Sequence, residues 1–301
     1  MTEFEKGVVL ATRGRLFEVI TESGNKLKCE VRRKVKSEAE ATTPVAVGDD
    51  VLLSPSHEGS AIIEKVLERR TAFSRPAVGR ETIKQVIAAN LDKLAIVSSI
   101  TSPKLKTGLI DRFLISAQKG NLKPLIIINK IDLPQPKEFE TVFSAYRSLG
   151  IEVFPTSCET GEGIEELKNA MQGHKTILVG HSGVGKSSII NQLVPGLDLK
   201  TATISKSTNR GKHTTAHIEL FELPSGGFLA DSPGLKVMGI WDVEKAELQY
   251  YYPEFEKYNG TCRFKDCAHI HEPDCAVKQA LAKGEIENFR YENYLAILES
   301  L

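Results

Sequence analysis

GHSGVGKSS, residues Gly180 to Ser188, is the stretch on which the fold turns. It follows an apolar run, KTILVG (175–180), and opens a helical pattern, KSSIINQLV (186–194). Strand, glycine-rich loop and helix in that order match G-x-x-x-x-G-K-[ST] in the context the motif requires. Glycine lets the backbone fold around an anion, and the loop amides with the helix N-terminus favour negative charge. The expected phosphate-binding residues are Gly180, Ser182, Gly183, Val184, Gly185, Lys186, Ser187 and Ser188. Lys186 would reach the β- and γ-phosphates, and Ser187 would hold Mg²⁺.

Working outward, the same texture continues on both sides. Buried-strand runs stand at LAIVSSI (94–100), PLIIIN (124–129) and IEVFPTS (151–157). Helical stretches IDRFLISAQKG (110–120), EFETVFSAYRSLG (138–150) and GIEELKNAMQ (163–172) lie between them. That alternation predicts a parallel sheet covered on both faces. Two further strands, HIELFEL (217–223) and GGFLADS (226–232), meet at a Pro-Ser-Gly-Gly turn.

The base is addressed by two other segments. NKID, Asn129 to Asp132, ends the strand PLIIIN, at the carboxyl edge where open α/β sheets bind ligands. It resembles the N-K-x-D motif of guanine-nucleotide-binding proteins. There the aspartate accepts from the ring N1–H and the exocyclic amine, a donor pair that adenine lacks. Leaving such groups unpaired costs about 1–3 kcal/mol. Lys130 would lie against the base and Asn129 would tie the loop to the phosphate region. TSCETGEGI (156–164) resembles the S-A-K motif, with Ser157 and Cys158 in the Ser-Ala places.

DSPG, Asp231 to Gly234, resembles the D-x-x-G motif, whose aspartate holds Mg²⁺ through water and whose glycine amide meets the γ-phosphate. GKHTT (211–215) lies where a first switch belongs, with Thr215 the expected Mg²⁺ ligand and Thr214 the alternative. After D-x-x-G many GTPases carry a glutamine that orients the attacking water. Leu235 stands here and cannot hydrogen-bond water. His213 is the nearest polar side chain in sequence that could do so, and a solvated loop histidine is its bland alternative. Lys186, His213 and Thr215 form the expected catalytic set.

The motif order is rotated. The base motifs precede the phosphate loop, and the switches follow it. Circular permutation is tolerated because domain termini often lie close together. The rotation places whatever follows Gly234 directly after the second switch, so γ-phosphate loss could be passed into the C-terminal residues.

Cys262-x4-Cys267-x-His269-x5-Cys275 supplies three thiolates and one imidazole, a closed tetrahedral set suited to structural zinc, with His271 as the alternative to His269. The five cysteines form a poor disulfide framework and fit a reduced compartment with one metal site. The first 70 residues read as short strands, GVVLATRG, RLFEVIT, KLKCEVRR, DVLLS and SAIIEKVLE, and suggest a small barrel of the OB type. Thr71 to about Asn90 reads as a linker. Lys26, Lys28, Arg32, Arg33, Lys34 and Lys36 form a basic run that could contact phosphates or simply line a solvated edge.

Composition sets the outer bounds. The 301 residues are 41% apolar and 26% charged, ordinary for a globular protein. Lysine plus arginine equals aspartate plus glutamate at 39 each, so net charge identifies no anionic partner. MTEFEKGVV lacks a signal-peptide layout and no apolar run approaches a membrane span, so the expectation is a cytoplasmic protein with no membrane partner.

Taken together, NKID, GHSGVGKSS, GKHTT, DSPG and the Cys/His cluster resemble the bacterial small-ribosomal-subunit biogenesis GTPase A family over essentially the full chain. Cys158 in the Ala place and Lys212, where members often carry arginine, are small departures. The resemblance implies a circularly permuted α/β GTPase at 71–237, an RNA-binding OB barrel at 1–70 and a helical zinc unit at 238–301. It further implies a monomer using Mg²⁺ with GTP and one structural Zn²⁺. It would be a late assembly factor that binds the small (30S) ribosomal subunit and its rRNA and is stimulated there. A phosphotransferase acting on a small acceptor, and a non-enzymatic RNA-binding zinc protein, are the competing readings. NKID speaks against the first, and the intact Lys186, Ser187 and Asp231 against the second.

Overall fold

The computed structural model describes residues 4–32, 35, 44–57, 59–77, 80–136, 139–199, 218–232 and 240–301. Its first five strands are β1 (Glu5–Arg13), β2 (Leu16–Thr21), β3 (Lys26–Val31), β4 (Asp50–Pro55) and β5 (Ser60–Val66). Their order is β1-β2-β3-β5-β4, and β4 pairs back onto β1 to close a barrel. Only β3 and β5 run parallel. Alternation puts Val9, Val19, Cys29, Val51, Leu53, Ala61 and Ile63 inside, the OB-like barrel that the strand pattern implied.

The segment expected to be a linker is instead an antiparallel hairpin, β6 (Ala72–Ala77) and β7 (Arg80–Ala89). Pro76 argues against a central strand, but a two-stranded hairpin has only edges, where proline is tolerated. Phe73 and Ala88 are fully buried and join the main core, which is what holds the hairpin in place.

Beyond it lie β8 (Lys93–Ser99), α1 (Thr107–Lys119), β9 (Lys123–Asn129), α2 (Phe139–Ser148), β10 (Glu152–Thr156), α3 (Ile164–Met171), β11 (Lys175–Val179), α4 (Lys186–Leu193), β12 (Glu219–Glu222) and β13 (Phe228–Asp231). The sheet order is β10-β9-β8-β11-β13-β12, parallel except for β12. Successive side chains of each strand feed opposite faces. Leu94, Ile96, Ile126, Ile128, Ile177 and Val179 meet Phe113, Phe143 and Tyr146 on one side. Ala95, Val97, Leu125, Ile127 and Leu178 meet Leu167, Met171, Ile189 and Ile190 on the other. Each fully buried Leu or Ile contributes about 1.5–3 kcal/mol, so both faces are strongly driven to be covered. β12 also pairs with β1 at Ala11↔Glu219, which makes barrel and sheet one continuous surface.

The C-terminal part has two 3₁₀ turns (Leu248–Tyr251 and Pro253–Tyr258), then α5 (Ala276–Ala282) and α6 (Asn288–Ser300). α6 packs on α1 around a buried polar network. Arg290 pairs with Asp111 on α1 and, through Nε at 2.6 Å and Nη2 at 3.1 Å, with Glu254. Asp111 also accepts from Tyr146 Oη at 2.8 Å and Asn293 Nδ2 at 2.7 Å. The guanidinium stacks over the Tyr252 ring at 4.6 Å.

Burial raises the Asp111 carboxyl above its ordinary pKa, and Arg290 pulls against that shift. Arg290→Ala would strand two carboxylates in the interior, so we expect a loss of about 3–5 kcal/mol in urea unfolding at neutral pH. Without the cation the folded-state pKa of Asp111 rises further above its unfolded value. The deficit against wild type should therefore shrink as pH falls through the carboxylate range. A pH-independent deficit would count against this account.

Candidate nucleotide and metal sites

The phosphate loop lies at the carboxyl end of β11, between β8 and β13. Gly180 takes φ +143°, and a Cβ there would stand 2.1 Å from the Val97 carbonyl oxygen, so no other residue fits. Lys186 begins α4 and folds back over the loop. Its Nζ donates to the carbonyls of Gly180 at 2.8 Å and His181 at 3.1 Å. Ser187 and Ser188 follow in the first turn, half-buried, and Ser182 is exposed on the loop.

Asp231 ends β13 beside this loop. Burial lowers the Lys186 pKa, with Asp231 opposing, and burial raises that of Asp231, with Lys186 opposing. Asp231 Oδ1 is buried and has no hydrogen-bond partner. An orphaned carboxylate oxygen next to a buried ammonium fits a hydrated divalent cation carried in with a phosphate chain. Ser232 donates its hydroxyl to the Leu178 carbonyl and so fixes the strand end.

The NKID loop reaches the phosphate loop directly. Asn129 Nδ2 donates to the Val184 carbonyl at 2.9 Å. Gly185, at φ +99°, permits this approach, because a Cβ there would lie 2.1 Å from that same Nδ2. Lys130 adopts φ +69° and its Nζ donates to Gly183 O and Ser102 O, both at 2.7 Å. Ser157 Oγ donates to Asp132 Oδ1 at 2.5 Å and itself accepts from the amides of Glu159 at 3.2 Å and Thr160 at 3.1 Å. Asp132 is thereby oriented while its side chain stays exposed. The Cys158 carbonyl accepts from Gln192 Nε2 at 3.4 Å, and burial pushes its thiol up to about 11, which leaves it an unreactive spacer. Asn129, Lys130, Asp132, Ser157, Cys158, Lys186 and Asp231 thus converge on one end of the sheet. The Ser102 carbonyl escaped sequence reasoning, since a backbone acceptor leaves no side-chain signature.

His213, Thr214 and Thr215 of the first switch, and Gly234 and Leu235 of the second, lie outside the described residues. A cleft of about 580 Å³ sits at the other end of the strands, lined by Asp92, Lys123, Tyr252 and Arg290 among others. It contains none of the motif residues, so volume alone does not mark the site.

Cys262, Cys267, His269 and Cys275 bring one ligand atom each within 4.8 Å of one another. His269 Nδ1 stands 3.4 Å from Cys267 Sγ and 3.3 Å from Cys275 Sγ, and Cys262 Sγ is 3.9 Å from Cys275 Sγ. Ligands about 2.3 Å from a tetrahedral zinc are about 3.8 Å apart, so the donor set fits that ion. His269 Nε2 lies 2.9 Å from Gln249 Oε1, an arrangement that leaves Nδ1 to face the cluster. His271 is exposed and outside the set. Gln249, which is 20 residues away, gave no sequence signal.

The basic run is partly neutralised. Lys26 pairs with Glu222 at 3.2 Å, and Arg32 forms an ion pair with Glu64. Lys28 stays exposed on β3. Arg33, Lys34 and Lys36 lie outside the described residues. Among the described residues, no helix is long and apolar enough to cross a membrane.

Known proteins match this arrangement along its whole length. The family model described as RsgA GTPase matches residues 66–241. The small ribosomal subunit biogenesis GTPase RsgA of Gemmatimonas aurantiaca is 38% identical, over 100% of this chain and 99% of that protein. The protein of the same name from Chlorobaculum tepidum is 40% identical, with 100% and 99% covered. Among solved structures, YjeQ from Thermotoga maritima superposes with a TM-score of 0.79 at 34% identity, covering 99% of each chain. YloQ, described as a circularly permuted GTPase, gives a TM-score of 0.74 at 27% identity, over 99% of this chain and 95% of that one. With its base motifs ahead of its phosphate loop and these relatives spanning its full length, the chain belongs to the RsgA GTPase family.

Proposed function

We propose that this protein hydrolyses GTP as a late assembly factor of the small ribosomal subunit, binding its rRNA and accelerated by it. The observation that carries the GTPase reading is the lock between the two loops, Asn129 to Val184 at 2.9 Å, beside the buried Lys186 and Asp231. The names of the full-length relatives support the ribosomal role. Residues 1–70 act as the RNA-binding barrel, 71–237 as the GTPase unit and 238–301 as the zinc unit, in a cytoplasmic monomer.

The motifs, and the geometry where it is described, support the following roles. Asp132, oriented by Ser157, accepts the two guanine donors; Lys130 flanks the base; the backbone at Ser157 and Cys158 meets the guanine carbonyl. Amides of Gly180, Ser182, Gly183, Val184, Gly185 and Ser188 cradle the phosphates with Gly234, and Lys186 neutralises charge on the β–γ bridge. Ser187, Thr215 and Asp231 would hold Mg²⁺, which when bound offsets the charge developing on the transferred phosphoryl group. Leu235 cannot orient water, so His213 takes that task, and turnover is slow until the ribosomal surface fixes the switch. The four Cys/His ligands hold one structural Zn²⁺.

The decisive experiment measures GTP turnover with and without purified small subunits, alongside co-sedimentation in GTP-analogue and GDP states. Faster turnover and nucleotide-dependent co-sedimentation are expected, with Lys186→Ala losing about 10²–10³-fold of the turnover. Absence of both stimulation and co-sedimentation overturns the ribosomal role; undiminished turnover in Lys186→Ala overturns the GTPase site.

His213→Ala should cut the stimulated rate about 10²-fold while GTP affinity holds. An unchanged stimulated rate removes His213 from the mechanism. For the zinc unit, elemental analysis should find one zinc per chain. Cys267→Ser should lose the metal and lower the melting temperature, with GDP affinity retained by the separate nucleotide site. Full zinc occupancy in that variant would exclude Cys267 as a ligand.

A further inference from the structure

Lys130 is held from two sides. Its Nζ donates to Gly183 O in the phosphate loop and to Ser102 O in the turn that follows β8, each at 2.7 Å. The second contact joins a third loop to the base-recognition motif. That turn has its own internal frame. Ser99 is the last residue of β8, lies in register with Asn129 and is 1% exposed. Its Oγ donates to the Pro103 carbonyl at 2.8 Å, spanning the turn from inside. The Leu105 amide closes onto Ile100 O at 2.9 Å, and Thr101 bridges to Lys104. The carbonyl of Ser102 therefore stands at the tip of a turn that one buried hydroxyl braces from inside, alongside these backbone contacts.

We propose that Ser99 is a positioning residue of the guanine site: it holds the Ser102 carbonyl where it clamps the Lys130 ammonium. The proposal rests on the reading of this site as a guanine-nucleotide site. Lysine has about 2 kcal/mol of rotamer entropy to lose when its side chain is ordered. A side chain already pinned at its tip by two carbonyls lays its aliphatic stem against the base without that loss at the moment of binding. The backbone of Lys130 is itself in the left-handed region, at φ +69°, so the residue starts from a conformation that needs outside support. Gly183 O alone leaves the ammonium free to pivot; Ser102 O removes that freedom.

Because the clamp acts at the base and not at the γ-phosphate, its loss weakens GDP and GTP alike. Ser99→Ala should raise the dissociation constants of both by about 3–10-fold, the worth of one hydrogen bond to a charged group less what water restores. The discriminating measurement is a double-mutant cycle with Lys130→Met, read by titration of fluorescent GDP and of a fluorescent non-hydrolysable GTP analogue. If Ser99 acts through Lys130, Ser99→Ala adds no further loss in the Lys130→Met background. A hydroxyl that merely supports the core gives the same loss in both backgrounds, and that outcome overturns the proposal, as does wild-type affinity in Ser99→Ala. Ser102→Gly keeps the buried hydroxyl and loosens the carbonyl itself, so it carries the same cycle if Ser99→Ala fails to fold. Wild-type protein that binds GDP no better than ADP would overturn the reading of the site and the proposal with it. Wild type that discriminates, with an indifferent Ser99→Ala, overturns the proposal alone.

Discussion

The hydrogen bond from Asn129 Nδ2 to the Val184 carbonyl is the constraint around which the sheet is organised. It joins a base-recognition loop to a phosphate loop that comes 55 residues later in the chain. The bond forms because β9 and β11 flank β8 in parallel, which brings their carboxyl ends level. It also demands a glycine at 185, where any Cβ would occupy the place of the amide nitrogen. Chain order is irrelevant to all of this. A sheet whose strands keep their positions and directions can be cut and rejoined elsewhere, which is why a rotated sequence still builds a working end.

The units on either side of the sheet are attached with a different balance of contacts. The barrel is joined through backbone and apolar contacts, Ala11 against Glu219, the Ala89 amide to the Val47 carbonyl at 2.8 Å and Leu10 with Val47 in the shared core, with the surface ion pairs Arg13–Glu219 and Lys26–Glu222 beside them. Gly48 lets Ala89 approach, since a Cβ would stand 2.0 Å from its carbonyl. The C-terminal unit is joined through Ile115 and Phe289 and through the Arg290 network, whose fork fixes direction as well as distance. Burying these charges gains little net stability over an apolar joint, but breaking the pairing is costly. The arrangement favours one orientation of the C-terminal unit on α1 over mere adhesion.

Much of this was legible in the sequence, and what escaped did so for identifiable reasons. GHSGVGKSS and NKID could be placed because their residues are constrained by ligand chemistry as well as by fold, and the strand runs around them are long and apolar. The Cys/His cluster was legible from local spacing, yet the place of His269 rather than His271 in it needed burial and the partner Gln249. The hairpin at 72–89 was misread because Pro76 and its polar neighbours look like a break; tertiary burial of Phe73 overrode that signal. The pairing of Lys26 and Arg32 in the basic run was not legible, because Glu222 and Glu64 come from other strands to meet them. The Arg290 network was invisible, since its members lie up to 182 residues apart on elements with unremarkable composition.

The nucleotide end itself runs against stability. It concentrates positive-φ backbone at Lys130, Gly180, Gly183 and Gly185, and it buries an ammonium and a carboxylate whose charged forms burial disfavours. Lys186 is eased by two loop carbonyls and by the Asp231 charge, and Asp231 by the Lys186 charge in turn, yet Asp231 Oδ1 has no hydrogen-bond partner among the described residues. A phosphate chain with its cation satisfies both at once: oxygen anions meet the ammonium, and the cation's water meets the carboxylate. The site's electrostatic discomfort is thus converted into affinity for a ligand of that charge pattern, because the native state gains on binding what it forgoes when alone. Such a ligand stabilises the fold by an amount that grows with its concentration over its dissociation constant. On the proposed reading, strain at this end and phosphate binding are one property seen from two sides, and relieving the first by substitution would weaken the second.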